Sequence, residues 1–187
     1  MNKNLDRLKK LIPPPKSPTF IPTPTDWRNC QAELGVNLPD ELLQFCEIYG
    51  FGTFRGTEMT ALSILCPGYP EYVGGIRDEC QRYRDCRGES RSDDYPFDVF
   101  PDEGGLFPMG GDENDHWLCW ATHGPPNHWP IVVRWDPGLD RIQSIDMTLC
   151  EFLVNLFELK LDLPCFPPPS FVDDVQFVPF IPYKAPS

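Results

Sequence analysis

The chain of 187 residues carries a net charge of −12 and contains eight cysteines and 23 prolines. Its length suits one domain with a sizeable core, and an acidic surface argues against binding to nucleic acid or to anionic membranes. No run approaches the roughly 18 apolar residues of a membrane span, and the first residues lack an apolar signal core. We therefore expect a cytoplasmic protein whose reduced cysteines are mostly small buried hydrophobes.

The prolines concentrate toward both ends and so indicate terminal extensions around one domain. The C-terminal tail alternates prolines with large apolar side chains, which makes it too apolar for simple disorder. We expect it to pack back on the domain or on a partner. The predicted division is a proline-rich N-terminal extension at residues 1–24, an α+β domain at residues 25–163 and the proline-rich hydrophobic tail at residues 164–187.

The N-terminal extension begins with an apolar stripe that predicts one or two helical turns, ended by the prolines at residues 13–15. After it, residues 16–25 are expected to lie extended across the domain, because Phe20 and Ile21 offer apolar surface to bury. The stripe consists of Leu5, Leu8, Leu11 and Ile12.

A pair of helices is the most clearly signalled structure in the chain. Thr25 or Asp26 is predicted to cap the first helix, and Gly35 to end it. The second begins at residues 38–41, with proline and two carboxylates in its first turn, and ends at Gly50. The predicted buried faces are Trp27, Cys30, Gln31 and Leu34 on the first helix and Leu42, Leu43, Phe45, Cys46 and Tyr49 on the second.

Short strands are predicted at residues 51–54, 61–65 and 97–100. Between the last two, apolar residues recur at three- and four-residue spacing among alternating charges, which predicts an amphipathic helix over residues 70–87 with a salt-bridged outer face. Its buried positions are Tyr72, Ile76, Cys80 and Tyr83.

Residues 104–136 gather four of the five tryptophans and all three histidines. The acidic turn at residues 112–115 separates two apolar runs and predicts a hairpin, and residues 129–135 predict a further strand. The sheet continues at residues 141–145. The pattern Thr148-x-x-Glu151 then predicts a capping box for a last helix, which Pro164 ends. That helix is predicted to bury Leu149, Phe152, Leu153, Leu156 and Phe157.

Charge is unevenly distributed along the chain. Residues 92–133 hold eight acidic side chains and neither lysine nor arginine, whereas residues 1–91 hold twelve of each sign. Such an acidic region steers a basic protein toward it, although a solvated acidic surface kept for solubility is an equal alternative.

Catalytic chemistry has weaker support in the sequence. His116, Cys119, His123 and His128 carry atoms that can bind metal, but no Cys-x-x-Cys pair completes a recognised set. Cys119 lacks the context of a nucleophile, and the glycine pairs in residues 104–111 lack the following helix and lysine of a phosphate site. We therefore predict no catalytic residue, no metal and no cofactor. A small metal-dependent hydrolase built on the cluster from His116 to His128 remains the alternative.

Several motifs together resemble the SUKH superfamily, whose members include bacterial immunity proteins of polymorphic toxin systems and a fungal regulator of cell-wall synthesis. The resemblance lies in Trp27, then Leu34-Gly35-Val36-x-Leu38-Pro39-x-Glu41-Leu42-x-x-Phe45-x-x-x-Tyr49-Gly50-x-Gly52, Gly105-Leu106-Phe107-Pro108-x-Gly110, Cys119-Trp120 and Trp129-Pro130-Ile131. It implies a single α+β domain with an N-terminal helix pair, a largely antiparallel mixed sheet and a C-terminal helix. It also implies a protein-binding role without catalysis.

The resulting prediction is an immunity protein, a monomer or a weak homodimer, that neutralises a basic toxin domain, such as a nuclease, by direct binding. The alternative interpretation is a regulatory scaffold like the fungal members. The predicted partner-binding residues are Asp112, Glu113 and Asp115 in the acidic turn and Trp117, which begins the next strand on the face opposite Leu118.

Overall fold

The computed structural model describes residues 2–56, 59–89, 95–135, 141–161, 163 and 174–182. Five α-helices and seven strands occur in this part of the chain. The helices are α1 (Lys3–Leu11), α2 (Pro24–Leu34), α3 (Asp40–Tyr49), α4 (Tyr72–Glu89) and α5 (Leu149–Phe157). The strands are β1 (Gly52–Gly56), β2 (Met59–Ile64), β3 (Leu106–Gly111), β4 (Trp117–Ala121), β5 (Ile131–Trp135), β6 (Arg141–Ile145) and β7 (Gln176–Pro179).

The seven strands form one sheet in the order β6-β5-β4-β3-β2-β1-β7, and every neighbouring pair is antiparallel. Strands β1 to β6 follow one another along the sheet in chain order, and β7 returns to pair with β1. The α+β prediction is therefore confirmed. In the described residues no helix combines the length and the apolar character needed to cross a membrane.

The first face of the sheet carries the main core. Residues directly opposite one another on neighbouring strands share a face, so the pairs Leu118 with Val133 and Phe54 with Phe177 point the same way. Helices α3 and α5 cover this face, where Phe54 packs between Phe45 and Phe157 at ring-centroid distances of 6.1 and 4.9 Å. The predicted buried positions on both helices are confirmed, except that Leu43 is only half-buried.

Helix α4 covers part of the second face, and its four predicted buried positions are all buried. It also buries Glu79, which the sequence pattern did not predict. Glu79 lies 3.2 Å from Arg134 of β5, and the Arg134 guanidinium stacks 4.9 Å from the centre of the Tyr83 ring. The half of this face on β1 and β2 has no helix over it among the described residues.

Two helix starts differ from the prediction. The cap of α2 is Thr23, two residues before the predicted position, because Thr23 and Asp26 form a reciprocal capping box across Pro24. The predicted capping box of α5 does not form. Glu41 of α3 takes its place and accepts hydrogen bonds from Thr148 Oγ1 at 3.2 Å and from the Cys150 backbone N–H at 3.0 Å.

Three further predictions are wrong. Residues 97–100 form a single isolated bridge, between Val99 and Leu106, where a strand was predicted. Ile21 is 43% exposed although Phe20 packs as predicted. Helix α5 ends at Phe157, well before Pro164, because Leu159 adopts a left-handed conformation that breaks the helix.

The terminal segments both pack on the domain. Helix α1 lies against α5, and Tyr49 donates a hydrogen bond to the Ile12 carbonyl at 2.7 Å. The strand β7 brings part of the predicted tail back into the sheet. The rest of the predicted tail, residues 164–173 and 183–187, lies outside the described residues.

Candidate interaction surface

The four predicted partner-binding residues lie at the β3–β4 hairpin, but they differ in what they can offer a partner. The Asp112 carboxylate is fully buried, and it accepts hydrogen bonds from the backbone N–H groups of Asn114 at 2.9 Å and His116 at 3.1 Å. It also lies 2.8 Å from His116 Nδ1. Asp112 therefore holds the shape of the turn.

Glu113 and Asp115 are the exposed carboxylates of this turn, with side chains 66% and 70% exposed. Each already has an arginine partner. Arg55 of β1 lies 3.3 Å from Glu113, and Arg82 of α4 lies 3.1 Å from Asp115. The hairpin is thus tied to two other elements by surface ion pairs.

Trp117 is half-buried beside these ion pairs. The Arg82 guanidinium lies 5.5 Å from the centre of its indole ring, a cation–π arrangement. Its Nε1–H is buried and has no hydrogen-bond partner in the part of the chain that the structure describes. The residue lies on the face opposite Leu118, as predicted, but it forms a wall between α4 and the open part of the sheet and does not project freely.

The open part of the second face forms a shallow groove of about 410 Å³ next to the hairpin. Its floor is the outward row of β1 and β2, where Thr53 Oγ1 and Ser63 Oγ lie 3.1 Å apart. The groove is bounded by the hairpin on one side and by aromatic rings at one end. Its lining residues are Phe51, Thr53, Arg55, Ala61, Ser63, Leu65, Gly111, Asp112, Glu113, Trp117 and Phe180.

Arginines of α4 compensate two of the carboxylates in the acidic run that the sequence shows. Besides the Arg82–Asp115 pair, Arg87 lies 2.6 Å from Asp98, and Arg84 donates a hydrogen bond to the Phe100 carbonyl. The acidic charge of residues 92–133 is therefore balanced only in part. Asp98 and Asp115 pair with arginines of α4 and Glu113 pairs with Arg55, whereas Asp102 and Glu103 have no lysine or arginine partner among the described residues.

Uncompensated acids converge elsewhere, in a cleft of about 370 Å³ at the N-terminal ends of α3 and α5 and an adjoining cavity of about 300 Å³. Neither is lined by lysine or arginine among the described residues; Trp129 lines both, and Trp120 lines the larger cleft. The carboxylates come from segments far apart in the sequence, so no sequence window reveals them. They belong to Asp40, Glu41, Asp146 and Glu151.

The residues of the hydrolase alternative do not assemble. Cys119 is buried beneath α4, and this burial raises the pKa of its thiol well above the usual range. His123 is exposed with Glu103 at 3.8 Å, and His128 lies in a separate turn, Pro126–His128. Within the described residues, no three His, Cys, Asp or Glu side chains are placed to hold a metal ion.

A buried carboxylate, that of Glu79, lies under α4 near the hairpin. Burial raises the pKa of Glu79, while the guanidinium groups of Arg82 and Arg134 act in the opposite direction. Glu79 is 6% exposed and both arginines hydrogen-bond to it, so it anchors α4 to the sheet and holds Arg82 over Trp117. This role is structural.

The part of the chain that matches a known protein family contains the helix pair, β1 to β6 and the start of α5. A family model, SUKH_6, described as SMI1-KNR4 cell-wall, matches residues 24–153. The chain belongs to the SUKH superfamily. The SUKH match begins at the first residue of α2 and ends within α5, so it includes the hairpin and leaves α1 and β7 outside. Comparison with curated proteins gives no match. SUKH membership supports a protein-binding role, of the immunity or the regulator type.

Proposed function

We propose that this chain is an immunity protein that binds a basic toxin domain and blocks it without catalysis. The observation that carries the proposal is the SUKH family match over residues 24–153. In this proposal the chain acts in the cytoplasm, needs no cofactor, does not bind nucleic acid or a membrane itself, and exists as a monomer or a weak homodimer.

The hairpin and the groove beside it are the proposed contact surface. Exposed ion pairs such as Glu113–Arg55 and Asp115–Arg82 contribute only about 0 to 1 kcal/mol each, so a partner's lysine or arginine can replace the chain's own arginine at little cost. Trp117 and the apolar groove residues then supply the surface from which water is excluded.

The acidic cleft at the N-terminal ends of α3 and α5 supports the proposal that the partner is basic. A nuclease domain is basic because it holds a phosphate backbone, and carboxylates without neighbouring cations accelerate its approach. Asp146 and Glu151, at the adjoining cavity, have no ion-pair partner among the described residues.

The test is reconstitution with the C-terminal domain of a secreted protein encoded beside this chain. We expect a complex of one copy of each, loss of the toxin's activity in the complex, and protection of cells that express both. A folded chain that neither binds this domain nor protects the cells would contradict the proposal.

A regulatory scaffold is the second candidate, and the cell-wall description of the matched family favours it. It uses the same fold and differs in its partner. A cell-wall defect on deletion, in cells that are not exposed to any toxin, would support it over the immunity role.

A further inference from the structure

The C-terminal strand β7 is an addition to the sheet of the matched family region. That region ends at residue 153, whereas β7 occupies Gln176–Pro179. Residues 164–173, which precede it in the chain, lie outside the described residues. Among the strands of the described residues, β7 has β1 as its one neighbour. The sheet of the family region would therefore end at β1, and the chain's own tail covers that edge.

A single aromatic side chain anchors β7 in the core. Phe177 is 6% exposed and inserts between α3 and the sheet. Its ring centroid lies 4.9 Å from that of Phe54, 5.1 Å from that of Tyr49 and 6.3 Å from that of Phe45. The adjacent Val178 points to the other face and is 43% exposed. The seat on β1 thus recognises an extended segment by its backbone and by apolar side chains. Besides Phe177, these are Val175, which is 5% exposed, and Phe180, whose ring centroid lies 5.4 Å from that of Phe51.

The seat is shaped for close approach of a strand. A side chain at Gly52 would place its Cβ 2.4 Å from the Val178 carbonyl oxygen, so only glycine admits β7 at this distance. Beyond the strand, the Phe180 N–H donates to the Phe51 carbonyl at 2.9 Å, and Thr19 Oγ1 donates to the Phe180 carbonyl at 2.7 Å. The N-terminal extension therefore closes over the end of the tail.

We propose that the edge of β1 is a strand-docking site that takes β7 of a second copy of this chain in place of its own, which gives a strand-exchanged dimer. The second copy is the occupant that fits, because its own Val175, Phe177 and Phe180 and its backbone reproduce the contacts that the resident segment makes. The exchange conserves the contacts of the strand. Its cost is that the strand now docks between two molecules and no longer within one chain. Since a short tether supplies an effective concentration of the order of millimolar, the monomer dominates in dilute solution. This dimer specifies the weak homodimer of the proposed function and does not depend on toxin binding.

The first experiment is sedimentation of the full-length chain from micromolar to near-millimolar concentration. We expect a dimer that grows with concentration, is lost in Phe177→Ala and persists in the matched control Val178→Ala. A chain that stays monomeric throughout, or a dimer equally strong in Phe177→Ala, would overturn the proposal.

The second experiment uses a fluorescent peptide with the sequence of residues 174–182. We expect it to bind the full-length Phe177→Ala chain at least about tenfold more tightly than wild type, in which the tethered strand competes. The same peptide with alanine at the phenylalanine of residue 177 should not bind. Equal binding of both peptides would place the contact elsewhere and overturn the proposal.

Hydrogen exchange in the wild-type chain keeps the test valid if Phe177→Ala does not fold. The amides of β7 and of Phe180 should exchange much faster than those of β4, because β7 leaves the sheet without global unfolding. Exchange of β7 at the rate of β4 would show that the strand does not open, and the proposal would fail.

Discussion

The β3–β4 hairpin and the β1–β7 edge border the same groove but are held by opposite kinds of contact. At the hairpin, Glu113 and Asp115 reach other elements through exposed ion pairs. At the edge, Phe177 is fixed by three buried rings. Ion pairs in water are weak, and any cation can replace the arginine, whereas a buried ring is replaced at low cost only by an identical ring. We therefore propose the hairpin as the contact for a foreign partner and the edge as the contact for a second copy.

Salt should separate the two regions. At about 0.1 to 0.15 M salt, the interaction between two exposed charges is largely screened when they lie more than about 8 to 10 Å apart, and this distance shortens as salt is added. Buried apolar contacts are left intact. Substitutions at the hairpin should therefore have effects on association that depend on salt, whereas substitutions at the edge should have larger effects on stability that do not.

The largest effect is expected in the scaffold beneath the edge. Phe45 is fully buried, with its ring stacked 4.8 Å from that of Tyr49 and 6.1 Å from that of Phe54. Phe45→Ala should lower the free energy of unfolding by about 3 to 5 kcal/mol, because it removes a large ring and leaves a cavity. Urea unfolding measures this loss, which should change little with added salt. The matched control is Glu47→Ala, an exposed position on the same helix, where a loss above about 0.5 kcal/mol is not expected.

The scaffold could be read from the sequence because local rules and burial agree there. Helix α3 has its apolar residues at helical spacing, and its end at Gly50 requires a positive φ. The strand predicted at residues 97–100 failed because a short apolar run does not show whether a neighbouring strand is within reach. The predicted capping box of α5 was wrong for a related reason. Glu151 has the right spacing in the sequence, but the carboxylate that accepts from the Cys150 N–H is that of Glu41.

The partly buried carboxylate of Glu41 shows whether a charged contact is weak because it is charged or because it is exposed. Glu41 accepts hydrogen bonds from Asn2 Nδ2 at 2.5 Å, from the Thr148 hydroxyl and from the Cys150 N–H, and so joins α1, α3 and α5. Glu41→Ala should cost about 1 to 2 kcal/mol of unfolding free energy, the range for loss of a helix cap. Thermal or urea unfolding measures it. A cost near zero would mean that Glu41 behaves like the exposed acids of the hairpin.

The candidate site was harder to predict than the fold because charge acts through space. The run of acids in residues 92–133 is visible in the sequence, but the pairing of Asp98 and Asp115 with arginines of α4 becomes visible only in the fold. Conversely, Asp40 and Asp146 lie far apart in sequence and meet at adjoining cavities. Trp117 was placed on the correct face, yet only the fold shows Arg82 over its ring.

At the hairpin, reversing both exposed carboxylates should act on association. Glu113→Lys combined with Asp115→Lys should slow association with the basic toxin domain about tenfold at low salt and weaken its salt dependence, because the steering charge changes sign. Stopped-flow mixing at two salt concentrations measures both. Asp112 is left intact because its carboxylate holds the turn.

The matched control places the same change in charge away from the hairpin, as Glu47→Lys combined with Asp78→Lys, at two exposed positions on α3 and α4. This control should change the association rate less than the hairpin variant does. Equal slowing by both variants would show that net charge alone steers the partner and that the hairpin is not the docking surface.

The smallest effect is expected from removing the arginine that competes with the partner. Arg55 is 59% exposed and pairs only with Glu113 among the ion pairs of the described residues. Arg55→Gln should change the free energy of unfolding by less than about 0.5 kcal/mol, since an exposed pair contributes little. It should also speed association with the toxin domain about two- to threefold, because Glu113 is then uncompensated and the variant adds one negative charge at the contact. If Arg55→Gln slowed association, Arg55 itself would contact the partner, and the hairpin would take part in recognition through its cation and not through its carboxylates.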